Sequence, residues 1–259
     1  MTLPLYLRAV KRSALSGRPS LGRLDERMVF VFGSPRSGTT FLARAIGSLP
    51  GFADLGEVNP LKAAIPGVSA RQVRTILDRV RRYGLVGSRR AVEQTPEVAF
   101  VLPAVAEAFP QATLVHALRD GRDVVCSLLE RGWLGAERGG ADDTGAAYGT
   151  HSRFWVESGR EDEFRAASDA RRSAWAWRRY VSAVRESGVP VIEVRYERMV
   201  TDPAGTGADL ARSLGVPVDA MAGALGAAHA SSVGRWSRDL SPAQLADVEG
   251  EAGPLLSTL

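Results

Sequence analysis

The sequence predicts an α/β protein of three layers, with a central, mainly parallel sheet and helices on both of its faces. Three observations carry that prediction. The apolar runs "MVFVF" at 28–32 and "ATLVHAL" at 112–118 have the length of buried strands. Each leads into a turn of glycine and polar residues, then into a segment with helical apolar spacing. A third run, "VPVIEVRY" at 189–196, follows a long helical segment, so strands and helices alternate as they do in crossover-connected parallel sheets.

Taken in order, residues 1–25 are polar and basic, and Leu3, Leu5, Leu7 and Val10 share no clean face. We expect a surface-packed arm there rather than a membrane anchor, and the segment lacks a secretory cleavage pattern. The remainder, 26–259, reads as one domain. A strand at 28–32 is followed by a helix over about 38–49, with Phe41, Leu42, Ala45, Ile46 and Leu49 on its apolar side. Helices are expected at 70–83 and 95–108. After the second strand, Asp120 with Asp123 resembles a capping box, and Val124, Val125, Leu128 and Leu129 give the next helix its buried face. Residues 132–168 are glycine-rich and polar with Trp133, Tyr148, Phe154 and Trp155 among them, a pattern expected of a lid over a substrate. A helix at 170–187 then precedes the third strand.

Composition narrows the function classes. Of 259 residues, 45% are hydrophobic and 24% charged, ordinary for a globular protein, and no apolar run is long enough to span a membrane. The net charge is +4, yet Lys11 and Lys62 are the only lysines among 33 basic residues, and the arginines are dispersed. No aromatic and basic stripe marks a nucleic-acid groove, whereas a positive field favours an anionic small molecule. The lone Cys126 rules out an internal disulfide and fits a cytoplasmic setting.

The segment "VFGSPRSGTTFL" has the build of a phosphate-binding loop between strand and helix. Backbone N–H groups and the positive helix end would hold an anion, Ser37, Thr39 and Thr40 add hydroxyls, and Arg36 adds a forked cation. Gly38 frees the turn. The position where a nucleotide-hydrolysing loop carries lysine is Thr39, which argues against a Mg²⁺-dependent kinase or nucleotidase. Arg119, at the end of the second strand, and Ser127, eight residues later, could grip a second phosphate.

With "GSPRSGTTFL" followed by "HALRDGRDVVCSLL", the chain resembles the sulfotransferases that use 3′-phosphoadenosine 5′-phosphosulfate (PAPS), in the branch with a Pro-Arg-Ser-Gly-Thr-Thr loop. The resemblance covers about residues 28–245 and implies a P-loop-like three-layer fold. It implies that Arg36, Ser37, Gly38, Thr39 and Thr40 bind the 5′-phosphosulfate, and that Arg119 and Ser127 bind the 3′-phosphate. "VRYERMVTDP" is similar to a segment whose tyrosine, here Tyr196, lies near the adenine. "SSVGRWSRDLSP" is similar to a late cofactor loop, with Gly234, Arg235 and Trp236 as contacts. PAPS would be the donor, 3′,5′-bisphosphoadenosine (PAP) the product, and no metal would be needed.

A base must take the acceptor's proton. Glu57, 21 residues after Arg36, matches the branch's glutamate base in spacing and is our candidate, with Arg36 supporting transfer. One departure is Gln94 in "VEQTPEVAF", where related sequences often carry a lysine that holds the sulfonate. Gln94, Trp133, Tyr148, His151 and Trp155 are substrate-side candidates; His116 reads as packed, and His229 remains open. The expected acceptor is a hydroxyl of a carbohydrate, lipid or small molecule. An inactive PAPS- or PAP-binding relative is the alternative outside catalysis.

Overall fold

A computed structural model describes residues 28–65, 67–82, 89–135, 154–226 and 230–259. In chain order the main elements are β1 (Met28–Phe32), α1 (Thr39–Ser48), β2 (Phe52–Gly56), α2 (Asn59–Ala64), α3 (Ala70–Arg82) and β3 (Arg90–Glu93). There follow a 3₁₀ turn (Pro96–Phe100), α4 (Leu102–Ala108), β4 (Thr113–Leu118), α5 (Gly121–Arg131), α6 (Glu161–Ala166), α7 (Asp169–Glu186) and β5 (Ile192–Arg195). The chain closes with α8 (Tyr196–Thr201), α9 (Pro203–Leu214), α10 (Val218–Leu225), a 3₁₀ turn (Ala230–Ser232), α11 (Trp236–Asp239) and α12 (Pro242–Leu256). No helix among the described residues is long and apolar enough to cross a membrane.

The sheet has five strands in the order β2-β3-β1-β4-β5, and every pairing is parallel. β1 is buried throughout because it is central: Met28, Phe30 and Phe32 enter the core on one face, while Val29 and Val31 enter the core on the other. α3, α4 and α7 cover the first face; α1, α9 and α10 cover the second. The expected three-layer architecture is therefore present.

Two strands were not anticipated. β2 "FADLG" sits at the sheet edge and β3 "RAVE" has only four residues, so neither shows the long apolar run of the inner strands. The segment expected to be one helix at 95–108 divides into a 3₁₀ turn and α4, each opening with a proline in its first turn. The strand expected at 189–196 narrows to Ile192–Arg195, and Tyr196 already begins a helix.

The capping-box reading needs correction. Asp120 alone caps α5, its carboxylate accepting from the Arg122 N–H at 2.9 Å. Asp123 is wholly buried and turns instead to the 234–236 loop.

The described part of the expected lid, 132–135 and 154–168, is in part firmly packed. Phe154, Trp155, Val156 and Phe164 all join the core, with Trp155 and Phe164 edge-to-face at 5.4 Å. The arm at 1–25 and the lid residues 136–153 lie outside the described residues.

Candidate anion-binding and acceptor site

Because all five strands run the same way, their carboxyl ends share one edge. Along that edge the strand order lines up Glu57 after β2, Gln94 after β3, the Gly33–Gly38 loop after β1, Arg119 after β4 and Tyr196 after β5. Between β1 and β4 the crossovers diverge to opposite sides, which is where open α/β sheets bind ligands.

The loop is shaped by three left-handed residues: Gly33 (φ +144°), Arg36 (φ +72°) and Gly38 (φ +88°). Arg36 is the only non-glycine residue with positive φ among the described residues. Its carbonyl turns outward from the loop and accepts from Arg119 Nη1 at 3.1 Å, which offsets the local strain. Ser37 N–H closes the turn on the Ser34 carbonyl at 3.1 Å. Gly38 caps α1 with no side-chain acceptor, and α1 has no acidic residue in its first turn. The positive end of α1 therefore faces no negative side chain of its own.

Two buried donors lie at the centre of this edge. Ser37 Oγ and Arg119 Nε lack hydrogen-bond partners among the described residues, although Ser37 is 2% exposed and Arg119 5%. Such orphaned donors are costly unless a ligand supplies the acceptor.

Arg119 is held on several sides. Nη2 donates to the Ser232 carbonyl and lies 3.9 Å from Asp123, and the guanidinium stacks on the Tyr196 ring at 4.6 Å. The Trp177 indole N–H donates to the Arg119 carbonyl at 3.0 Å, so the long helix α7 braces the strand end. Tyr196 is wedged between Arg119 and Gly38, where an added Cβ would come within 2.7 Å of its ring.

Arg36 Nε donates to Ser127 Oγ at 2.8 Å, and its guanidinium lies 5.4 Å from the Trp133 ring. Candidates assigned to opposite ends of a nucleotide are thus in contact. Thr39 is buried behind the loop and Thr40 is exposed. Arg235 pairs with Glu130 and with Asp239 (2.6 Å), and the bond to Glu130 raises its guanidinium pKa above the usual value. Gly234 and Trp236 present their N–H groups to Asp123, and the Trp236 ring carries the Arg122 guanidinium at 3.9 Å.

At the other end, Glu57 is partly exposed and Lys62, from α2, lies 3.0 Å from its Oε2. Lys62 is itself buried and lies 3.9 Å from Glu97, which accepts from the Tyr180 hydroxyl at 3.1 Å. Glu93 is fully buried; burial pushes its carboxyl up to about 7, against the opposing bond from Thr95. Gln94 is buried between Glu57 and the loop, its N–H donating to the Gly56 carbonyl at 3.1 Å.

Sequence reasoning missed Lys62 and Asp123. The available signals were that Lys62 is one of two lysines and that Asp123 lies midway between Arg119 and Ser127. Trp155 does not reach the cleft; it is 4% exposed within the core. His116 is buried in β4, as read, stacked on Phe32 with Nδ1 3.7 Å from Glu193. Tyr148, His151 and His229 lie outside the described residues.

The fold and the edge define the class: a parallel α/β protein with a glycine-shaped strand-to-helix loop at the carboxyl end of its central strand. Residues 66–220 match the model of the sulfotransferase family, and the chain belongs to that family. The match begins after the loop, so the loop's role rests on its own geometry.

Among solved structures, the chain is similar to the sulfotransferase domain of the Synechococcus olefin synthase (16% identity, TM-score 0.55), covering 92% of this chain and 95% of that one. The sulfotransferase domain of the curacin biosynthetic pathway is similar at 14% identity and TM-score 0.56, covering 88% of this chain and 96% of that one. A mouse sulfotransferase complexed with PAP matches at 15% identity and TM-score 0.53, covering 95% of both chains. At these identities the likeness is one of fold. No curated protein matches the sequence.

Proposed function

We propose that the protein moves a sulfonate group from PAPS to a hydroxyl of a carbohydrate, lipid or small-molecule acceptor. The observation carrying this reading is the row of side chains along one sheet edge, with two orphaned buried donors, Ser37 Oγ and Arg119 Nε, at its centre. Bound there, the donor supplies a sulfonate whose bond to the 5′-phosphate oxygen breaks as a bond to the acceptor oxygen forms. Arg36, Ser37, Thr39, Thr40 and the N–H groups at Gly38 hold the phosphosulfate and stabilise charge growing on the departing phosphate. Arg119, Ser127 and the 234–236 loop take the 3′-phosphate, for which Arg36 must release Ser127. Tyr196 packs beside the adenosine.

Glu57 lies two strands from the loop, about 10 Å at ordinary strand spacing, which leaves room for an acceptor hydroxyl between them. Its carboxylate receives the acceptor proton. Lys62 orients that carboxylate, supplying a cation where Gln94 has none. Because Lys62 is shared with Glu97, Glu57 is steadied without being locked. Trp133, on the Arg36 guanidinium, borders the acceptor side.

The test is thermal unfolding with PAP, compared with ATP and Mg²⁺. PAP is expected to raise the midpoint well above the ATP value. Equal shifts, or none, would reject the donor assignment.

A further inference from the structure

Arg119, Asp123 and Ser127 are spaced by four residues, which puts them in line along one side of α5 and its approach. The outer two are candidate phosphate donors. The middle one is a carboxylate with 0% exposure, an expensive group to bury unless it is bonded. Its bonds all leave its own element. Oδ2 accepts from Gly234 N–H at 2.8 Å, Oδ1 accepts from Trp236 N–H at 3.0 Å, and Arg119 Nη2 lies 3.9 Å away.

The loop so gripped needs an anchor. Gly234 is exposed and left-handed, and α11 has four residues with none buried. Other side-chain ties of this segment include the bond from Arg119 to the Ser232 carbonyl, the Arg235 ion pairs at the surface and the stack of Trp236 on Arg122. Surface pairs of that kind hold a loop weakly. A buried carboxylate receiving two backbone N–H groups holds it far better.

We propose that Asp123 is the positioning residue for the 3′-phosphate end of the site. By taking the N–H groups of Gly234 and Trp236, it seats the late loop against Arg119 and Ser127 before any nucleotide arrives. The Ser232 carbonyl then receives Arg119 Nη2, and Arg235 is brought within reach of Ser127's side of the helix. The same carboxylate lies near Arg119, so it aims the guanidinium as well as the loop. Two N–H groups and the Arg119 guanidinium offset its negative charge.

This inference rests on the nucleotide assignment above, and the experiment separates the two. PAP and AMP differ by the 3′-phosphate alone, so their affinity ratio reads that end of the site. Calorimetric titration of the whole chain is expected to show PAP binding much more tightly than AMP. Asp123→Asn keeps the shape but loses the charge, and is expected to weaken PAP by about 10- to 100-fold while AMP changes less than about twofold. A purely structural role would weaken both ligands alike, and that outcome overturns the proposal. So does an unchanged PAP to AMP ratio in the variant, which leaves the donor assignment standing. A wild-type chain with no preference for PAP sinks both. Should the variant not fold, hydrogen exchange of the wild-type chain decides. The Gly234 and Trp236 amides are expected to be protected and further slowed by PAP but not by AMP; unprotected exchange with PAP bound overturns the proposal.

Discussion

Gly33 does two things that no other residue can do. Its φ is +144°, and a Cβ there would sit 2.3 Å from the Ala117 carbonyl of the neighbouring strand β4. Backbone, unlike the tip of a side chain, cannot swing aside. Gly33→Ala is therefore expected to lower stability by about 3 kcal/mol, read from the urea unfolding midpoint. A loss within error of zero would show that β1 and β4 can separate. In the proposed reaction, turnover depends on Glu57. Glu57→Gln preserves size and hydrogen bonding but cannot take a proton. It is expected to keep PAP affinity and lose about 100- to 10,000-fold in transfer rate, measured with labelled donor and an acceptor recovered from extracted metabolites. Wild-type turnover in that variant would dismiss Glu57 as the base.

At the scale of elements, the end of β3 carries a titrating switch in stability. The Glu93 carboxyl is pushed from 4.5 to about 7 by burial, and the charge of Glu57 adds to the push. Between those values the folded chain holds a proton that the unfolded chain has released. Stability contributed by the protonated form is thus complete below about 4.5 and lost as pH rises through about 7. Glu93→Gln removes the titration while still accepting from Thr95 and Val58 N–H. It is expected to be more resistant to urea than wild type on the alkaline side of 7, by about 1 to 3 kcal/mol, and little different near 4.5. Denaturation curves at both pH values check this; a variant weaker at alkaline pH would contradict it.

The elements were unequally legible. β1 and β4 stood out because inner parallel strands are buried on both faces and must be apolar, and the edge strand β5 stood out by the apolar run that contains it. β2 and β3 did not, since edge position and shortness leave room for Asp54, Arg90 and Glu93. The loop residues Arg36 to Thr40 were readable because glycine, hydroxyls and a cation at that spacing have few other uses. Lys62 was not, because its meeting with Glu57 depends on how α2 leaves an unanticipated strand.

For the whole molecule, the proposed ligand would couple binding to folding through the sheet edge. The loop after β1, Tyr196 after β5 and the late loop all touch Arg119 after β4, so a nucleotide bridging them would resist unfolding of most of the chain. PAP at 100 times its dissociation constant is expected to add about 2.7 kcal/mol, or a rise of about 5 to 10 °C in the midpoint. ATP with Mg²⁺ lacks the 3′-phosphate and is expected to add markedly less.

Local pattern alone was enough for the fold class, the strands β1, β4 and β5 and the strand-to-helix turn after β1, because burial periodicity and turn chemistry are written in neighbouring residues. What required the folded chain was company. The grip of Asp123 on the 234–236 loop joins residues more than 100 positions apart, and the approach of Lys62 to Glu57 turns on one helix's exit angle. The first contact is set by packing of the whole sheet and its layers, to which no short stretch of sequence has access, and the second, though only five residues apart, by the path of the chain out of an edge strand.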